Sequence, residues 1–317
     1  MSSNLALLPN DVQLSRTIRL GTRGSPLARW QSEWVAARLV ESHPGLQVEL
    51  IEIKTHGDRD RNSPLAAIGG AGLFTKEIQR ALLDHTVDLA VHSLKDLPTQ
   101  GPVELVLGAV PARESVFDAL IAPVYKTVNA LPQGARVGTS SLRRKALLRN
   151  LRPDLEVVDV RGNVETRLKH AIEGRVDAVI LAEAGLHRLG LQTHITERLE
   201  PPRFLPAVGQ GALGVECRGD DTEVQALLQC LDDPDTHQAV LAERTLLAEL
   251  QGGCLVPLGA WATRLNGMVS LTATVLDPEG TARINAKAEP MADPITLGKQ
   301  VAQLLLDQGA QKLLRGS

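Results

Sequence analysis

One apolar run ends in three side chains of different chemistry. In Val87-Asp88-Leu89-Ala90-Val91-His92-Ser93-Leu94-Lys95-Asp96-Leu97-Pro98 the pattern of a buried strand gives way to Ser93, Lys95 and Asp96. Pro98 has no backbone donor and holds Leu97 extended, so the strand must stop there. The carboxyl ends of strands in open α/β sheets are where ligand crevices form. A hydroxyl, an ammonium and a carboxylate arriving at such an end could bind an anion, steady a cation or move a proton. The plainer reading is a solvated strand end.

Basic residues collect at other strand-to-helix junctions. Arg23 and Ser25 follow the first strand. Ser141 precedes Arg143 and Arg144, and Arg161 and Arg167 flank the next helix start at Asn163. Cations in the first turn of a helix oppose its dipole, and a bound carboxylate or phosphate would remove the conflict. The alternative is a solvated basic face. Cys254 stands on Gln251-Gly252-Gly253-Cys254, ahead of Pro257. A lone cysteine is usually buried filler, but a thiol on a Gly-Gly loop is well placed for attachment or attack. The glycine run 68–72 lacks the Lys-Ser/Thr ending of a phosphate loop, which argues against nucleotide binding.

The chain that positions these groups has 317 residues, enough for two or three domains. Aromatic residues are only 2%, so Leu, Val, Ile and Ala must fill the core. A net charge of −3 gives no global attraction to nucleic acid or membrane, so any anion site must come from local clustering. Cys217, Cys230 and Cys254 are too few for a disulfide framework or a zinc site, and no metal is expected. Residues 1–15 do not read as a secretory leader, and no apolar run is long enough to cross a bilayer. A cytoplasmic protein is the expectation.

The pattern opens β-α-β. A strand at 17–21 leads to a helix with Ser25 as cap and Pro26 at its first position. Leu27, Trp30, Trp34 and Ala37 recur at helical spacing, which places both tryptophans in the core. A strand at 47–53, an irregular loop at 54–73, a helix at 74–84 and a strand at 103–110 follow. The chain leaves this unit near Arg113-Glu114-Ser115 and starts a second α/β set. That set has strands near 136, at 156–160 and at 177–181, each followed by a helix. Pro201, Pro202 and Pro206 punctuate a linker, and Ala207-Val208-Gly209-Gln210-Gly211-Ala212-Leu213-Gly214-Val215-Glu216 reads as a return strand with a glycine-lined approach. This is the pattern of two lobes joined by a hinge: 1–113 with 207–220, and 114–206. A small α+β domain, 221–317, completes the chain, with a hairpin turn at Asp277-Pro278-Glu279-Gly280.

Five stretches in this order resemble the porphobilinogen deaminase (hydroxymethylbilane synthase) family. They are Val91-His92-Ser93-Leu94-Lys95-Asp96-Leu97-Pro98, Val137-Gly138-Thr139-Ser140-Ser141-Leu142-Arg143-Arg144, Arg161-Gly162-Asn163, Ala207 to Ala212, and Gly252-Gly253-Cys254 with Val256-Pro257. The resemblance runs from about Ile18 to the C-terminus. It implies two α/β domains like type II periplasmic binding proteins plus a small C-terminal α+β domain. It implies condensation of four porphobilinogen molecules to hydroxymethylbilane with release of ammonia, in tetrapyrrole biosynthesis. A dipyrromethane cofactor, one per chain, would be joined by a thioether to Cys254. Asp96 would be the catalytic carboxylate. Arg23, Ser25, Ser93, Lys95, Ser141, Arg143, Arg144, Arg161, Arg167 and Arg188 would hold the acetate and propionate groups. A monomer is expected. Two departures stand out: Ala67 and Ala71 replace basic residues usual in the long loop, a role Arg59 or Arg61 could take, and Gln251 replaces a common Glu. A non-catalytic carboxylate-binding protein would share the arginine-lined cleft but has no use for Cys254. A nucleic-acid reading of Arg143 and Arg144 lacks the stacking aromatics it needs.

Overall fold

The computed structural model describes residues 17–55, 75–250 and 256–315. Cys254 and Gln251, and the loop residues Arg59, Arg61, Ala67 and Ala71, lie outside the described residues.

The first unit opens with β1 (Ile18–Thr22), α1 (Pro26–Ser42), β2 (Val48–Glu52), α2 (Lys76–Leu83), β3 (Leu89–Ser93) and β4 (Leu105–Ala109). A single 3₁₀ turn, Leu94–Asp96, follows β3. The chain then crosses over and builds β5 (Asp118–Ile121), β6 (Arg136–Gly138), α3 (Leu142–Leu151), β7 (Glu156–Val158), α4 (Val164–Ile172), β8 (Ala178–Ala182), α5 (Glu183–Arg188) and β9 (Glu197–Leu199). It returns as β10 (Leu213–Arg218). α6 (Thr222–Leu228) follows it and packs Val224, Leu227 and Leu228 into the first unit's core. The last unit contains α7 (Pro234–Glu249), β11 (Leu258–Leu265), β12 (Met268–Leu276), β13 (Arg283–Lys287), α8 (Pro294–Asp307) and α9 (Ala310–Arg315).

The first two sheets repeat one plan. Their orders are β2-β1-β3-β10-β4 and β7-β6-β8-β5-β9, and in each the fourth position is held by a strand antiparallel to both neighbours. That strand is the one that has just crossed from the other unit. Each lobe is therefore closed by chain arriving from its partner, which makes the crossing segments part of both cores. The α/β character expected of the lobes and the α+β character of the last unit are both present. The last sheet is an antiparallel meander, β11-β12-β13, with α7 and α8 supplying Ala242, Leu246, Leu297 and Val301 to its core.

β3 lies at the centre of its sheet, which is why Leu89, Ala90 and Val91 are all buried. Ile18, Leu20, Val35, Leu39, Val215 and Cys217 pack around it. Burial pushes the Cys217 thiol up to about 11, the behaviour of a filler cysteine rather than a reactive one.

One expectation is corrected, and one strand was not anticipated. The buried face of α1 is Gln31, Ser32, Val35 and Leu39, while Trp30 and Trp34 are half-buried and Ala37 is exposed. Two polar residues on the inward face shifted the apparent apolar stripe. The return strand read at 207–216 is present as β10, and its approach is a turn in which Gly209 (φ +69°) and Gly211 (φ +86°) take the left-handed backbone that glycine tolerates. β5 was not anticipated: four residues starting with a charged Asp118 offer too short a pattern to read.

Candidate active site

The carboxyl ends of β1 and β3 open on a solvent-exposed cleft of ≈ 430 Å³, with Arg23, Ser25, Gln31, Thr75, Ser93 and Asp96 on its walls. Local structure explains why each faces it. Ser25 caps α1, accepting from the Ala28 amide at 3.3 Å. Its hydroxyl hydrogen is therefore left to donate. Ser93 ends β3 and accepts from Gln31 Nε2 at 2.8 Å, which turns its own hydrogen outward in the same way. The 3₁₀ turn presents Asp96 exposed at the cleft. Arg244 of α7 fixes the far side of that turn by donating to the carbonyls of Leu97 (2.9 Å) and Pro98 (2.7 Å).

Lys95 points toward the hinge, with Nζ 3.5 Å from Gln210 Oε1. Burial and then the nearby Arg144 charge push its ammonium down to about 8, although Asp96 and Asp118 pull the other way. Arg167 is lowered to about 10, first by burial and then by Arg144, with Asp96 opposing and Arg161 adding to the shift. The Asp96 carboxylate of one lobe is thus felt by an arginine of the other. Arg161 and Arg167 stand half-buried around the start of α4, where Asn163 accepts from the Thr166 amide at 2.8 Å and Arg167 Nε donates to Gly162 O at 2.8 Å.

Arg143 and Arg144 behave differently. They are 4% and 5% exposed. The carboxylate expected to relieve their position at the start of α3 belongs to the chain itself. Asp118, fully buried, takes Arg143 Nη1 at 2.7 Å and Arg144 Nε and Nη2 at 2.9 and 2.7 Å. Arg143 also donates to Leu205 O at 2.6 Å, and Arg144 to Ile180 O at 3.0 Å. Burial alone would raise the Asp118 carboxyl, but the two guanidinium groups outweigh it and hold it well below the usual carboxylate range. Ser141 caps the same helix, accepting from the Arg144 amide at 3.4 Å. Their charges add to burial in lowering Lys95, the residue before Asp96.

Arg188 braces the hinge. Its Nη2 donates to Gly211 O at 2.7 Å and its guanidinium lies 6.0 Å from the Trp30 ring. Burial lowers it to about 10, with Glu114 opposing. The remaining hinge contacts converge on Gln210, which is fully buried. Its Nε2 donates to Val116 O at 2.8 Å and Asp118 Oδ1 at 3.0 Å, and its carbonyl accepts from Arg113 Nε at 2.7 Å. Arg113 in turn pairs with Glu243 of α7 at 2.7 Å.

The structure therefore gathers Arg23, Ser25, Ser93 and Asp96 at one cleft, and brings Lys95, Arg161 and Arg167 into electrostatic reach of it. It places Arg143, Arg144 and Ser141 at an internal ion cluster and Arg188 at the hinge. Gln31, Thr75, Asp118, Gln210 and Arg244 were missed. Gln31 carried a signal, since a glutamine breaks the apolar face of α1; Asp118, Gln210 and Arg244 meet partners distant in sequence, and Thr75 shows only as a polar residue ahead of a helix. Among the described residues there is no cluster able to hold a metal and no helix long and apolar enough to cross a membrane.

Comparison with known proteins bears on the same residues. A family model described as "Porphobilinogen deaminase, dipyromethane cofactor binding domain" matches residues 18–226, and one described as "Porphobilinogen deaminase, C-terminal domain" matches 237–307. The porphobilinogen deaminase of Syntrophobacter fumaroxidans is 51% identical over 300 residues, covering 94% of this chain and 97% of the relative. That of Acidithiobacillus ferrooxidans is 48% identical over 301 residues, covering 95% and 98%. A methionine-bound nutrient binding protein of Burkholderia cenocepacia aligns at 16% identity and a TM-score of 0.44, over 74% of this chain and 96% of its own.

The internal ion cluster gives a stability test. Asp118→Asn leaves two buried guanidinium groups without their counter-charge. It should lower the free energy of unfolding by about 3–5 kcal/mol, read from the urea midpoint at constant m-value. A change below about 1 kcal/mol would mean the cluster is solvated.

Proposed function

The chain belongs to the porphobilinogen deaminase family, and from that premise we propose how its own residues carry the reaction. The enzyme is a transferase, hydroxymethylbilane synthase, which joins four porphobilinogen molecules into hydroxymethylbilane with release of ammonia, in tetrapyrrole biosynthesis. It works with a dipyrromethane cofactor. We assign 1–113 with 207–220 and 114–206 to the two lobes and 221–317 to the unit that bears Cys254. Both lobes of the cleft come from one chain, which supports a monomer; the cytoplasm is the compartment we infer for it.

The residues present fit a polycarboxylate cofactor. Arg23, Ser25 and Ser93 line the cleft, and Lys95, Arg161 and Arg167 add positive charge from its margins. When bound, the cofactor supplies the pyrrole carbon to which the first substrate is joined. Cys254 is the thiol we assign to its attachment.

Asp96 is the group we assign to the chemistry. Departure of ammonia leaves positive charge on the substrate's methylene carbon and ring. A fixed carboxylate within reach stabilises that charge and accepts hydrogen bonds from pyrrole N–H groups. It can also pass a proton to the departing amine and take one back when the ring regains aromaticity. The observation that carries this assignment is the position of Asp96: an exposed carboxylate at the cleft, opposed by cations from both lobes. Lys95, Arg23, Arg161 and Arg167 would hold the acetate and propionate groups. The two serines would donate to the same groups, since each already accepts a hydrogen bond from protein. Arg143, Arg144 and Arg188 would act on the bound chain through their charge and through the shape of the hinge.

Asp96→Ala should keep its fold and its cofactor and lose nearly all ammonia release. Turnover within about tenfold of wild type would remove Asp96 from the chemical step. In intact-mass measurements the protein should be heavier than its sequence by a dipyrromethane, and Cys254→Ser should show the sequence mass alone.

Lys95 gives the pH dependence. Its ammonium is charged below about pH 8 and neutral above it. Carboxylate binding should therefore be complete on the acid side and fall on the alkaline side. kcat/KM, which reports the free enzyme, should show a descending limb near pH 8. Lys95→Arg stays charged through this range and should move the limb upward; an unmoved limb would assign it to another group.

A further inference from the structure

We propose that Thr75 is a further binding residue of this cleft, whose hydroxyl donates to a carboxylate of the incoming pyrrole. The proposal rests on the family reading above. Thr75 is 1% exposed and lines the cleft, yet its Oγ1 has no hydrogen-bond partner. Buried hydroxyls nearly always have one, and an orphaned hydroxyl works against folding. A group left in that state at the wall of a binding cleft is explained when the ligand supplies the missing acceptor.

The local backbone shows that the partner is not withheld by accident of sequence. Thr75 is the residue before α2 and could satisfy itself by capping that helix, as Ser25 does for α1. It does not. Its backbone, at φ −120° and ψ −26°, is outside the extended region where a capping threonine sits, and no side-chain cap bond forms. The hydroxyl is thus left uncommitted by its own helix. The first-turn amides of α2 lack that cap as well, which adds donor character at this wall.

The other groups on the cleft define what could complete it. Arg23 brings a positive charge, and Ser25 and Ser93 bring hydroxyls whose hydrogens are available. Asp96 faces the same space, and Glu77 lies in the first turn of α2. A neutral or cationic ligand would leave these donors unmatched. A carboxylate accepts from Thr75 and Arg23 together, and the rest of a pyrrole bearing it, with its N–H, can extend toward Asp96. Porphobilinogen carries both features.

The test is steady-state kinetics on the holoenzyme with Thr75→Val, which removes the hydroxyl at nearly constant shape, and Thr75→Ser, which keeps it. KM for porphobilinogen should rise about tenfold in the valine variant, the loss of one charge-assisted hydrogen bond. kcat should stay within about twofold. The melting temperature of the substrate-free holoenzyme should hold or rise, because an orphaned polar group has been replaced by a methyl. Thr75→Ser should return KM toward the wild-type value. An unchanged KM in Thr75→Val, in an enzyme that still releases ammonia, overturns the proposal alone. A drop in melting temperature with KM and kcat declining together also overturns it, since that marks a hydroxyl with a purely structural role. Absence of ammonia release from the wild type would instead overturn the family reading.

Discussion

Asp118 is a carboxylate with no access to water, held by two guanidinium groups that are themselves almost fully buried. Bringing three charged groups into a low-dielectric interior is expensive, and the attraction among them offsets that cost only when their geometry is fixed. Here it is fixed from several directions. Asp118 begins the strand that enters the second lobe, Arg143 and Arg144 open α3, Leu205 O lies on the returning segment, and Gln210 donates from the turn ahead of β10. Both crossings between lobes therefore meet at one ion cluster. Bending either crossing disturbs hydrogen bonds to a buried charge, so motion of the lobes has to be confined to paths that leave the cluster whole.

That constraint organises the charge of the site. The chain is slightly acidic overall, so a ligand with several carboxylates has to be met by local cations. Several arginines are already engaged with internal anions: Arg113 with Glu243, Arg218 with Asp221, Arg143 and Arg144 with Asp118. The cluster at Asp118 carries two positive charges against one negative. Lys95 and Arg167 are lowered first by burial and then by the Arg144 charge of this cluster. A cation made less comfortable in the free protein gains more when a carboxylate arrives, so buried arginines strengthen the cleft without touching its contents. Asp96 opposes the shift at both residues, and this ties its own charge to the same balance.

Much of this was legible in short stretches and little of it across long ones. Ser25 and Asn163 were readable as helix caps, and each accepts the expected amide. The strand ends at Ser93 and at the start of α4 were readable because a strand-to-helix junction has a local grammar of glycine, cap and charge. The family resemblance extended that reading to the reaction, and the carboxylate-binding alternative falls with the family match. The anion at α3 was inferred correctly in sign and assigned to the wrong owner: the sequence near Arg143 shows an unmet charge, while the carboxylate that meets it stands 25 positions earlier on a strand too short to recognise. Glu243 and Arg244 were invisible for the same reason. The partners that tie them to the crossing segment and to the turn of Asp96, Arg113 and Leu97, lie 130 and 147 residues away.

The last unit enters the argument through α7. Glu243, fully buried, accepts from Arg113, from the amide of Gly209 at the hinge and from the amide of Ala262 in its own sheet. Its neighbour Arg244 holds the carbonyls of Leu97 and Pro98. Two adjacent residues near the end of one helix thus refer the third unit both to the crossing segments and to the turn that carries Asp96. The peptide that leads to Cys254 departs from this helix a few residues later. A growing chain needs its point of attachment and the reacting carboxylate to keep a common frame while the space between them fills. α7 supplies the part of that frame that lies among the described residues: Glu243 holds the Gly209 amide at the hinge, and Arg244 holds the turn that carries Asp96.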